Sequence, residues 1–90
     1  MPKPEEALMQ IRAAGANDRF HVTKPVDERL RARGISMADV RSVLASARVC
    51  LRHDDGTFGV GGVDIDGVPL NLIVSVVDSG DVLVLSEGEK

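Results

Sequence analysis

Residues 68–77 read VPLNLIVSVV. The apolar residues Val68, Leu70, Leu72, Val74 and Val76 fall on every second position, the period of a strand with one buried face. Working outward, Asp66-Gly67 is a two-residue hairpin signal that joins this strand to TFGVGGVDI at 57–65. RVCLRH at 48–53 and the turn DDG at 54–56 precede it, and DSGD at 78–81 leads into a last strand, VLVLS at 82–86. Between Phe58/Val60 and Val63/Ile65 the apolar parity slips by one, which predicts a bulge at Gly61-Gly62.

Upstream of residue 48 the period becomes helical. PEEALMQIRAAG at 4–15 places Pro4, Glu5 and Glu6 in a first turn, puts Leu8 and Ile11 on one face and offers Gly15 as a terminator. RFHVT at 19–23 reads as extended. Thr23 is the expected N-cap of a second helix, with Pro25 in the first turn, Asp27 and Glu28 near the positive end of the dipole, and Gly34 as the stop. Ser36 opens a third helix, MADVRSVLASA, at capping-box spacing from Asp39. The expected product is a single α+β domain over residues 1–90. Its N-terminal helices pack on one face of a three- to four-stranded antiparallel meander.

Composition narrows the function. The 90 residues include two phenylalanines and neither Trp nor Tyr, so the aromatic platforms on which single-strand binders stack bases are missing. The single cysteine, Cys50, excludes an internal disulfide, fits a reducing compartment and reads as a buried structural thiol. MPKPEEALMQ has no apolar leader and no window nears the ~18 apolar residues of a spanning helix. The expectation is a cytoplasmic protein that does not meet the membrane. His21, His53 and Cys50 show no zinc spacing, GVGG lacks the strand-to-helix context and Lys-Ser/Thr of a phosphate loop, and DIDG lacks the remaining ligands of a calcium loop. No metal or cofactor is expected.

The net charge of −3 hides a polarity along the chain. Residues 12–52 hold nine Lys/Arg against four acids, and the remainder holds two against ten. The basic centre is VTKPVDERLRARGIS at 22–36. Advancing about 100° per residue from Val26 keeps Leu30 on the same buried stripe and sets Arg29 and Arg33 along one border of it, a turn apart. Arg31 faces water with Asp27 as an i,i+4 partner. Arg29 and Arg33, with Lys24 beside them, read either as a phosphate clamp or as structural cations paired with sheet carboxylates such as Asp64.

T-x-P-V-D-E-R-L-R-A-R-G-I-S-x-x-D-V resembles the signature of a small bacterial family of unknown function related to RelE/BrnT-type toxins, whose pattern runs Thr-x-His-Ala-x-x-Arg-x-x-x-Arg-Gly-Ile. GVDIDGVPLNLIVSV is similar to that family's glycine, Asp-Gly hairpin and apolar strand. The resemblance spans about residues 20 to 86, with Arg29, Arg33, Gly34 and Ile35 in register. It implies a RelE-like fold and, for the wider superfamily, messenger-RNA cleavage and toxin–antitoxin pairing. The family histidine falls at Pro25, the following alanine at Val26, a frequent later histidine at Asn71, and an aromatic at Phe58, which has no phenolic hydroxyl.

Ribonuclease chemistry needs a group that moves a proton near neutral pH, and neither proline nor arginine does so. His21 lies four residues before Pro25, roughly 13 Å away in extended chain, and His53 sits at a strand end. Two functions follow as alternatives. One is a toxin-like protein that binds RNA or phosphate through Lys24, Arg29 and Arg33 with its ribonuclease activity impaired or lost. The other is a non-catalytic interaction module, a homodimer or the binder of an antitoxin-like protein, with VLVLS as an edge strand open to another chain.

Overall fold

The computed structural model describes residues 3–77 and 79–88. The chain runs α1 (Pro4–Ala16), β1 (Phe20–Val22), α2 (Lys24–Ala32), α3 (Met37–Ala45), β2 (Val49–Arg52), β3 (Phe58–Val63), β4 (Pro69–Val76) and β5 (Val82–Glu87). The α+β class is as expected, but the sheet differs. It has five strands in the order β1-β5-β4-β3-β2. β2 to β5 form the antiparallel meander, and β1 joins parallel to β5 through Phe20–Val82 and Val22–Val84. Three residues are too few to show a period, and the connection that brings the chain back beside β1 in the same direction runs through α2, α3 and the strands β2 to β4. β5 therefore lies inside the sheet; the expectation that VLVLS is an open edge is overturned. The edges are β1 and β2.

The core is one cluster. Ile11 of α1, Leu30 of α2, and Val40, Val43 and Leu44 of α3 meet Phe58 and Val60 of β3, Leu72 and Val74 of β4, and Val82 and Val84 of β5. Each buried side chain of this size contributes about 1.5–3 kcal/mol of transfer free energy. Of the expected stripe on β4, Leu72 and Val74 are fully buried, whereas Val68 precedes the strand and is exposed.

Helix ends follow local chemistry. At α3 the capping box is complete: the Ser36 hydroxyl accepts from the Asp39 N–H, and Asp39 accepts from the Ser36 N–H. Asp39 Oδ1 also accepts from the Ile65 N–H at 3.3 Å, which ties α3 to the turn between β3 and β4. Thr23 occupies the N-cap of α2, yet its side chain makes no capping bond. Pro25 stands at the second helical position, where one of the two usual donors would be. Gly34, at φ 80°, ends α2 as expected.

Two glycines do other work than the sequence suggests. Gly15 lies within α1 instead of ending it, because a β-carbon there would sit 2.5 Å from the Ala45 nitrogen of α3. The two helices cross at a distance that only glycine allows. Gly62 is likewise in contact: its β-carbon would lie 2.3 Å from the Val43 carbonyl oxygen. The pairing of β3 with β4 runs without a break through Gly61–Asn71 and Gly62–Leu70, so the bulge expected there is absent. The irregularity lies between β4 and β5, where Ile73 pairs with Ser86 and Val74 with Val84, leaving Leu85 as the extra residue. Of the DSGD turn, Asp78 lies outside the described residues; Gly80 takes φ 88°.

Candidate functional site

α2 buries Val26 and Leu30 and turns its cations outward. Lys24 opens the helix, exposed, and Pro25 follows, also exposed. Arg31 Nε donates to Asp27 Oδ1 at 3.0 Å, the i,i+4 pair its spacing predicts. The two border arginines part company. Arg33 Nη1 donates to Glu87 Oε1 on β5 at 2.5 Å, so the carboxylate that holds it is Glu87 and not Asp64. Arg29 is exposed and has no ionic partner among the described residues. Elsewhere in the basic segment, Arg19 pairs with Asp81 and Arg41 with Asp18. Much of the positive charge that stands out in the sequence is thus matched by carboxylates within the fold.

The histidines do not converge. His21, on edge strand β1, has Nε2 3.7 Å from Asp81 Oδ2, and Arg19 Nε holds the other oxygen at 3.2 Å. Burial pushes the Asp81 carboxyl up, but the Ser79 hydroxyl, Arg19 and His21 outweigh it and leave the group below its usual value. His53 follows β2, at the opposite edge of the sheet. Phe58 is buried in the core, where it packs. Burial raises the pKa of the half-buried Cys50 thiol, which keeps it protonated and a poor nucleophile.

A different surface stands open. The register aligns Val49 of β2, Gly61 of β3 and Asn71 of β4 in one row, and Leu51, Gly59 and Ile73 in the next. Both rows alternate with the buried Phe58, Val60, Leu72 and Val74, so they lie on the face away from the helices. Val49 is 51 % and Leu51 63 % exposed. With glycine between them and Ile73, they wall a groove of about 590 Å³. The His53 imidazole reaches over Gly59, and the Asn71 amide over Gly61. Neither side chain has a hydrogen bond among the described residues. A mostly apolar groove with two polar groups on its floor suits recognition of a ligand or segment.

Val49, Gly61 and Asn71 also line a second cleft of about 730 Å³, together with Arg12, Ser46, Arg48 and Pro69. Arg12 Nε donates to the Ala47 carbonyl oxygen at 2.6 Å, beyond the last turn of α3. No carboxylate lines this cleft among the described residues.

Lys24 and Arg29 lie on α2 and Arg33 caps its end, and none of the three lines either of these two clefts. The open face escaped the sequence reading although its signal is present: glycine alternates with Phe58 and Val60, and valine and leucine with Cys50 and Arg52. No family model, curated protein or solved structure matches the chain.

Proposed function

We propose that the domain is a non-catalytic interaction module on a scaffold of the RelE/BrnT-toxin type, and that its open sheet face takes a protein partner. The observation that carries this is the exposure of Val49 and Leu51 beside a glycine-floored groove, on a sheet whose helices all serve the other face. The toxin-type scaffold draws support from the motif resemblance over about residues 20 to 86, a span that folds as a strand, two helices and a four-stranded meander after α1. A non-catalytic role draws support from Pro25 at the motif's histidine position and from the separation of His21 and His53 to opposite edges of the sheet. Selection from a random displayed-peptide library tests the reading. Peptides should enrich on the wild-type protein and fail to enrich on Leu51→Asp. Equal enrichment on both proteins, or none on either, contradicts it.

Binding of RNA or phosphate is the second reading, and one observation favours it: Lys24 and Arg29 are exposed on one helix with no ionic partner among the described residues. Affinity for an RNA oligonucleotide would then fall steeply with salt, and Lys24→Ala with Arg29→Ala would flatten that dependence. Absent or salt-insensitive binding rejects it.

A further inference from the structure

We infer that the segment recognised by the open face is both apolar and acidic, its apolar side chains seated beside Leu51 and its carboxylates at Arg12 and Arg48; this rests on the proposed role of that face. The apolar groove and the cationic cleft adjoin at Val49, Gly61 and Asn71, which line both, so a bound segment that passes these residues reaches two chemically different ends. Val49, Leu51 and Ile73 wall one end. Glu87, which lines that end, is held by Arg33, so its charge is already matched.

The other end is distinguished by what its arginines lack. Arg19, Arg31, Arg33 and Arg41 each pair with a carboxylate of the chain. Arg12 and Arg48 have none among the described residues, although the chain carries 14 acids against 11 Lys and Arg. Arg12 is also held in place. Its bond to the Ala47 carbonyl fixes the guanidinium through Nε and leaves the Nη edge for a planar, bidentate acceptor such as a carboxylate. A carboxylate there meets the held Arg12 and the exposed Arg48 beside the apolar walls of Val49, Val63 and Pro69. Between the two ends, the Asn71 amide and the His53 imidazole are placed to bond the main chain of an extended segment.

Three fluorescein-labelled synthetic peptides of equal length test this by fluorescence anisotropy: alternating Leu-Glu, alternating Leu-Lys and alternating Ser-Glu. The Leu-Glu peptide should bind at least about tenfold more tightly than either of the others, and added salt should narrow its advantage over Leu-Lys. In Arg48→Glu, an exposed position, the preference between Leu-Glu and Leu-Lys should reverse. Arg12→Gln should weaken Leu-Glu binding, and a thermal melt of that variant separates lost contact from lost fold. Equal binding of Leu-Glu and Leu-Lys, or an order unmoved by Arg48→Glu, overturns the inference. If that equal binding is abolished by Leu51→Asp, the open face stands as an interaction surface and only the acidic partner falls. If none of the three peptides binds, the inference is overturned as well.

Discussion

On the inner face of the sheet Phe58, Val60, Leu72 and Val74 are each at 1 % exposure or less, whereas on the outer face of the same strands' neighbourhood Val49 and Leu51 stand more than half exposed. Residue chemistry does not separate the two sets, since both are valine, leucine and their like. Position relative to the helices does. Inner positions meet Ile11, Val43 and Leu44, and they gain burial and dispersion contacts. Outer positions of β2 and β3 meet solvent and a row of glycines. The difference teaches that one face holds the fold together while the other is free to serve recognition, so substitutions on the two faces should separate stability from binding.

The largest effect belongs to the inner face. Leu44→Ala removes a fully buried side chain of α3 and should cost about 3 kcal/mol in urea unfolding, within the usual range for such cavities. A loss below about 1 kcal/mol would place α3 outside the cooperative core. Gly62→Ala comes next. Its methyl group would press on the Val43 carbonyl and force α3 from the sheet, at about 2 kcal/mol, whereas Gly61→Ala on the outer face presses closely on the movable Asn71 side chain, meets Val49 at ordinary contact distance and should cost less. If both cost the same, the asymmetry between faces is wrong.

Asp39 sharpens the comparison through pH. The backbone N–H of Ser36 first, and that of Ile65 second, hold its carboxyl below the ordinary aspartate value of 3.8. The folded protein therefore binds this proton more weakly than the unfolded chain does. The stabilisation is complete above that ordinary value and fades as pH falls through the lower folded one. The urea midpoint of the wild type should drop more steeply than that of Asp39→Asn as pH is lowered from about 5 to about 2. Parallel curves would show that the tie from α3 to the β3–β4 turn contributes nothing. The smallest effects fall on exposed positions. Arg33→Ala breaks an ion pair whose arginine is 67 % exposed and should change stability by no more than about 0.5 kcal/mol. Leu51→Ser should be similarly neutral to folding.

The elements most legible in the sequence were those whose signal is local. The Ser36–Asp39 box, the Asp27–Arg31 pair, the stop at Gly34 and the alternation of Leu72 and Val74 all come from residues within a turn or a strand of one another. What the sequence hid depends on contacts between distant segments. β1 is a strand because β5 lies beside it, and β5 is thereby removed from the edge. Gly15 and Gly62 read locally as a terminator and a bulge, yet both mark the close approach of α3. The candidate site was hidden for the same reason. A run of arginines draws attention, but Glu87 is 54 positions from Arg33 and Asp81 is 62 from Arg19, and only folding brings those charges together. Arg12 and Arg48, far less conspicuous, end up lining one cleft.

Backbone amide shifts of the ¹⁵N-labelled protein, followed by NMR while the Leu-Glu peptide is titrated in, bear most directly on the central claim. The open-face account predicts changes concentrated at residues 48–53, 59–61 and 71–73. Changes confined to residues 24–33, leaving those three stretches still, would contradict it and return the functional surface to the basic helix.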